Sequence, residues 1–224
     1  MKKSLEKIKE YGFSPNNILD IGALFGNWSK EASEVFPSAK LTMVDPIKHK
    51  EHEQFYDTQF FGHQNWEIRY CILDKEEREV DWFEGPTWSG DSMFRERTSL
   101  YANCDVSKKN TTTLDLEFSD FFQSGPELIK IDTQGAEVPI LMGGQNTIKS
   151  TEVIILELPF FGQYNHGSYS FSECIVYMDS IGFIPFDICD KHLINDIIIQ
   201  IDIMFVRKKH NLHNKFQGII DNWI

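Results

Sequence analysis

Two aspartates and two glycines near the N-terminus carry the densest chemical signal in this chain. Asn17-Ile18-Leu19-Asp20-Ile21-Gly22 reads as a buried strand that delivers Asp20 into a turn, Ala23-Leu24-Phe25-Gly26, which opens a helix. Gly22 and Gly26 let the backbone bend sharply and approach a ligand where a Cβ would collide. A second strand, Lys40-Leu41-Thr42-Met43-Val44-Asp45, ends in a carboxylate 23 residues after Gly22, and Pro46 stops it. That spacing is close to the ~20-residue offset at which an acidic group meets a ribose hydroxyl pair. Together the two features point to an adenosine-type ligand; a plain strand-to-helix turn and a solvated strand-end aspartate are the bland alternatives. A dinucleotide fingerprint needs three glycines, and Leu24 stands where the middle one belongs. Asp20 also puts negative charge where a pyrophosphate would lie. The turn suits a ligand with an ammonium and a sulfonium better.

The elements that must position these residues alternate between short apolar runs and helical patterns, the signature of a parallel sheet. A short helix is expected over Ser4 to Tyr11, and a second from Asn27 or Ser29 to Phe36, where Pro37 stops it. His49 to Phe61 reads as an amphipathic helix and Glu67 to Leu73 as the third strand. Glu79 to Phe83 reads as a short antiparallel strand ending at Gly85-Pro86. Thr87 to Ser107 has no clean period, and an unstructured run of about 20 residues is long enough to suggest a functional loop or lid. Thr111 to Leu114 reads as a strand and Asp115 to Phe122 as a short helix. Glu127 to Asp132 and Thr151 to Glu157 are apolar enough for central strands covered on both faces. Between them, Ala136 to Met142 is a helix closed by Gly143-Gly144. Phe171 to Ile181 is the last long helix. Phe183 to Ile188 and Ile197 to Val206 follow with no helix between them, which predicts an antiparallel hairpin at the sheet edge. The expected organisation is one domain over 1–224, with residues 1–16 a helical lead-in, 87–107 the loop or lid and 207–224 a tail.

Composition narrows the function classes. Of 224 residues, 41% are hydrophobic and 25% charged, an ordinary globular balance, and 18 phenylalanines predict an aromatic core or cleft. No stretch approaches the ~20 apolar residues of a membrane span, and no apolar run follows the basic N-terminus as in a signal peptide. Four scattered cysteines without a C-x-x-C pair fit a reduced, cytoplasmic protein rather than a zinc or disulfide framework. A net charge of −12 argues against a nucleic-acid partner. A small patch at Arg207, Lys208 and Lys209 is read as solvating a strand end.

The segment Ile129-Lys130-Ile131-Asp132-Thr133-Gln134-Gly135-Ala136-Glu137, with the Ile18 to Gly26 turn and Val44-Asp45-Pro46, resembles the FkbM-type S-adenosylmethionine-dependent methyltransferases. The likeness continues through Leu141-Met142-Gly143-Gly144, Ile155-Leu156-Glu157, the aromatic stretch to Tyr164 and Gly182-Phe183, spanning roughly Asn17 to Val206. Family members often carry glutamate where Gln134 stands, with glutamine a familiar variant. The resemblance implies an α/β, Rossmann-like class I methyltransferase fold: a mostly parallel seven-stranded sheet with helices on both faces. It also implies bound S-adenosylmethionine and methyl transfer to oxygen, often on a sugar or other small hydroxylated acceptor. By the same resemblance Asp20, Gly22 and Gly26 surround the methionine end, Asp45 holds the ribose, and Ala23 and Pro46 lie beside them. Asp74 would lie near the adenine, although a turn residue is an equal reading.

Asp132 and Glu157 each close a central strand and should converge on the cleft as candidate bases. Glu137 competes with a simpler role at the N-terminus of its helix. His166, in the loop after Glu157, is a third candidate base against the commoner outcome of a surface histidine. Phe160 and Phe161 are expected as cleft wall or core. Asp132, Glu157 and His166 lack diagnostic metal spacing, so no metal is expected and activity should survive chelation. A dinucleotide-dependent oxidoreductase and a cofactor-binding protein without turnover are the rival readings.

Overall fold

The structure, a computed structural model, describes residues 1–46, 65–86, 89–121 and 124–223. The helix expected over His49 to Phe61 lies outside them. Five strands of the main sheet run in parallel: β1 (Asn17–Ile21), β2 (Lys40–Asp45), β3 (Trp66–Tyr70), β8 (Leu128–Ile131) and β9 (Val153–Pro159). The long hairpin β10 (Phe183–Ile194) and β11 (Ile197–Arg207) completes it, with β11 antiparallel to β9 and β10 at the edge. Among the described residues the order is β10-β11-β9-β8-β1-β2-β3, so the chain reverses direction across the sheet between β1 and β8. Open α/β sheets bind ligands at such a switch point, outside the carboxyl ends of the strands.

Alternating side chains send the two faces of the sheet into separate cores. Ile18, Leu41, Met43, Leu128, Val153, Ile155 and Met204 pack beneath α1 (Lys2–Glu10), α2 (Asn27–Val35) and Leu212 of α6 (Asn211–Asp221). On the other face Leu19, Ile21, Ile129, Ile131, Ile154, Leu156 and Ile203 meet α4 (Glu137–Met142) and α5 (Phe171–Ser180). Ser170 opens α5 with a reciprocal capping box to Glu173. The predicted layers and edge hairpin are as expected, and the tail beyond Arg207 carries α6.

Three expected boundaries differ. The third strand stops at Tyr70; Leu73–Asp74 (β4) instead pairs with Thr112–Thr113 (β7), which leads into the short α3 (Leu114–Glu117). β5 (Glu79–Glu84) pairs antiparallel with β6 (Asp105–Asn110), so the end of the expected 87–107 loop is strand. β10 runs six residues past Ile188, to a turn in which Asn195 and Asp196 both adopt positive φ, +49° and +65°. That is the backbone a tight hairpin connection requires. Arg207 is not a free basic group: its Nε donates to Thr151 O at 2.6 Å and its guanidinium stacks on Phe183.

Candidate active site

A cavity of about 430 Å³ opens at the switch point. One end is formed by the turn after β1. Gly22 N and Ala23 N donate to Val44 O at 2.9 and 3.1 Å, tying the turn to the end of β2. Gly22 has φ +79°, and a Cβ there would sit 1.8 Å from Asp132 O, so only glycine lets β1 and β8 close this gap. Leu24 is held at φ +46°, uncommon for a side-chain-bearing residue, while its N–H donates to Asp45 Oδ2 at 2.9 Å. Gly22, Leu24, Asp45 and Pro46 all line the cavity, with Ile72 and Leu73 as an apolar wall.

Asp20, Ala23 and Gly26 shape this end without lining it. Asp20 is fully buried, takes a hydrogen bond from Ser29 at 2.6 Å, and has its carboxyl raised by burial. Gly26 caps α2 in the left-handed conformation at φ +68°. Asp74 is not among the residues lining the cavity: it is fully buried in β4 and accepts from Arg78 Nε at 2.6 Å.

The other end is polar. Ile131 lies opposite Leu156 in the β8–β9 ladder, which sets Asp132 and Glu157 side by side, and both line the cavity. Lys130 is almost wholly buried, with Nζ 2.9 Å from Asp132 Oδ2. Burial works against its charge, but Asp132 and Asp20 outweigh that and hold the ammonium above its ordinary pKa. Burial would raise Asp132 as well, yet Lys130 keeps it ionised below the usual carboxylate range. Burial and the Asp132 charge drive Glu157 well above that range. The two neighbouring carboxyls are thus shifted in opposite directions, Asp132 down and Glu157 up.

Gln134 joins them at φ +55°, donating from Nε2 to Glu157 Oε2 at 2.8 Å and to Asp132 Oδ1 at 3.3 Å. Its Oε1 accepts from Tyr164 Oη at 3.1 Å, and Tyr164 in turn accepts from Gln200. Tyr164 and Gln200 also face the cavity, and no spacing in the sequence marks either as a site residue. Glu137 takes the simpler role: its Oε1 accepts from Thr133 N at 3.0 Å and Gly135 N at 3.1 Å at the start of α4. His166 is exposed and outside the cavity lining, as are Phe160 and Phe161. The expectation that those two rings form cleft wall or core is corrected: Phe160 packs edge-on against Phe171 at the surface.

Residues 89–101, within the stretch expected as a loop or lid, wall the cavity together with Trp82. Ser92 pairs with Phe83, Ser92 Oγ donates to Gln134 O at 3.0 Å, and Arg97 N donates to Tyr164 O at 2.8 Å. The wall is thus tied to both ends of the polar network. No helix among the described residues is long and apolar enough to cross a membrane.

The fold is shared with solved methyltransferase structures. The structure is similar to an FkbM methyltransferase from Methylobacillus flagellatus KT (14% identity, TM-score 0.53), with 85% of this chain aligned to 44% of that one. This chain thus spans less than half the length of that relative. It is also similar to a precorrin-6y C5,15-methyltransferase from Geobacter metallireducens GS-15 (12% identity, TM-score 0.51, 92% of this chain and 87% of that one). A third similar structure is the N-terminal domain of EvdMO1, determined with SAH and D-fucose (10% identity, TM-score 0.52, 92% of this chain and 82% of that one). No curated protein sequence matches. The methyltransferase FkbM domain matches residues 20–185, most of the chain, and the protein belongs to that family.

Proposed function

We propose that this protein is an S-adenosylmethionine-dependent methyltransferase acting on a hydroxyl oxygen of a sugar or another small acceptor. The observation that carries this reading is the two-ended cavity: a glycine turn and Asp45 at one end, a carboxylate pair within a hydrogen-bonding network at the other. Its volume falls within the ~300–1,000 Å³ of small-molecule and cofactor sites. Gly22, the Leu24 turn, Asp45 and Pro46 would hold the cofactor, with Ile72 and Leu73 against its base. The cofactor supplies a methyl group on an electrophilic sulfonium, and the chain's own task is alignment of the acceptor and removal of one proton. Gln134, Tyr164 and Gln200 offer neutral donors and acceptors suited to a polyhydroxylated molecule. Glu157, once ionised, is the better proton acceptor of the carboxylate pair because its environment raises its basicity. Asp132, held ionised by Lys130, keeps a fixed negative charge beside it.

The oxidoreductase reading loses ground on the same geometry. Leu24 N, which a pyrophosphate loop would turn toward phosphate, is bound to Asp45. The D-fucose present with the EvdMO1 domain makes free and nucleotide-linked sugars the first acceptors to try. The test is formation of S-adenosylhomocysteine and a methyl ether by mass spectrometry. Cofactor binding with no product from a broad panel of hydroxylated acceptors would favour the non-catalytic reading instead.

A further inference from the structure

We propose that Glu157, His192 and Asp202 form a binding site for a divalent transition-metal cation on the wall of the cavity. The three residues come from three adjacent strands and share no spacing motif, so the sequence alone does not group them. Register does. Asp202 on β11 lies directly opposite Glu157 on β9 and opposite Asp190 on β10, and His192 stands two residues beyond Asp190 on the same face. His192 Nε2 is 3.8 Å from Glu157 Oε1 and 3.4 Å from Asp202 Oδ2, and one ligand atom from each residue lies within 4.8 Å of the other two. Two bonds of ~2.1 Å at a tetrahedral angle separate their ligand atoms by about 3.4 Å, so the group needs little adjustment to close on an ion.

Asp202 supplies an independent indication of a ligand. It is 1% exposed, and neither of its carboxylate oxygens accepts a hydrogen bond among the described residues. A buried carboxylate without a donor is costly, and native folds seldom leave one so. Two carboxylates directly opposed across a ladder also repel unless a cation lies between them. Lys130 is the nearest buried cation, but its ammonium is bonded to Asp132. The half-exposed imidazole of His192 lies within ion-pair distance of both carboxylates, 3.8 Å from Glu157 and 3.4 Å from Asp202, without hydrogen-bonding Asp202.

The donor set identifies the class of ion. One imidazole and two carboxylates suit Zn²⁺, Mn²⁺ or Fe²⁺, whereas Mg²⁺ and Ca²⁺ favour all-oxygen shells. Glu157 divides its two oxygens: Oε2 is oriented by Gln134 at 2.8 Å, and Oε1 faces His192. An outer hydrogen bond of this kind fixes the orientation of a ligating carboxylate. Glu157 is the one of the three that also lines the cavity, so an ion here would share a ligand with the cavity wall.

The test needs no methyl acceptor and so stands apart from the proposed activity. Full-length protein stripped with chelator and dialysed is titrated with ZnCl₂ and with MnCl₂, by calorimetry and by elemental analysis after equilibrium dialysis. One equivalent of at least one ion per chain is expected. His192→Gln, a change at a half-exposed position that leaves the core intact, should weaken binding at least as much as the roughly 10- to 100-fold lost when an outer-shell partner is removed. Asp202→Asn should do the same. Absence of a bound equivalent with either ion, or parental affinity in His192→Gln, overturns the proposal.

Discussion

Replacing Gly22 by alanine is the sharpest test of how β1 and β8 create the site. The added Cβ would lie 1.8 Å from Asp132 O and 2.8 Å from Asp132 C, where real contacts hardly ever fall below 3.0 Å. The Asp132 carbonyl must therefore retreat by at least 1.2 Å, the difference between 3.0 and 1.8 Å. It cannot do so freely, since Asp132 N is bonded to Ile21 O at 2.9 Å and the side chain to Lys130. The left-handed φ of +79° adds a second cost, about 1–2 kcal/mol for a residue with a Cβ. Overpacking of this severity adds roughly 1–3 kcal/mol, for a total of about 2–5 kcal/mol. Gly182→Ala separates the two terms: Gly182 has φ +87°, but a Cβ there would meet nothing within 4 Å, so it should show the conformational cost alone. Urea denaturation at constant slope gives both stabilities, and calorimetry with S-adenosylhomocysteine gives the affinity. Gly22→Ala should be the less stable of the two and should bind the cofactor product more weakly. Equal stabilities with undiminished affinity would refute the claim that this contact shapes the cavity.

Asp45→Ala should weaken S-adenosylhomocysteine binding by ~1–3 kcal/mol, the scale of lost hydrogen bonds to a charged group, measured by calorimetry. Tight NAD binding that the same change abolishes would contradict the methyltransferase reading. Glu157→Gln should lower turnover by ~10²–10⁴ with little effect on cofactor affinity; a parental rate would remove it as the base. Lys130→Met leaves the partly exposed Asp132 without its ion-pair partner and should lower stability in urea denaturation, against near-neutrality if the pair is dispensable.

The central strands are legible in the sequence because Leu128, Ile129 and Ile131, and Val153 to Leu156, put apolar side chains on both sides, as strands covered on both faces must. The cavity turn is legible because its glycines and Asp45 follow from backbone needs that sequence expresses directly. Pairing partners are not. Nothing in Cys71-Ile72-Leu73 shows that the chain leaves the sheet there to meet Thr112 and Thr113. β6 escapes a sequence reading because Asp105 to Asn110 is polar and largely exposed, so burial never imprinted an alternation on it. The outer half of β10 escapes for the same reason: His192, Leu193 and Ile194 are exposed, and their strand is fixed by pairing with β11. His192 is therefore silent in the sequence, while His166 stands out by lying closer to Glu157 along the chain.

One signal locates the rest of the polar end. Along three neighbouring strands the face beneath α1 and α2 starts apolar and finishes charged: Ile18 then Asp20, Leu128 then Lys130 and Asp132, Val153 and Ile155 then Glu157. On the antiparallel β11 the order runs backwards, Asp202 before Met204 and Val206. The period of two holds in every case, so these charged groups occupy one layer above one core. A lone aspartate in the apolar run Ile197 to Val206 looks like a blemish when that strand is read as another parallel member. Reversing the strand, as the hairpin already requires, puts Asp202 at the height of Glu157 and turns the blemish into part of the site. The direction of the last strand thus decides which residues surround the carboxylate pair, and it is set by the two-residue turn at Asn195-Asp196 rather than by any residue in the cavity.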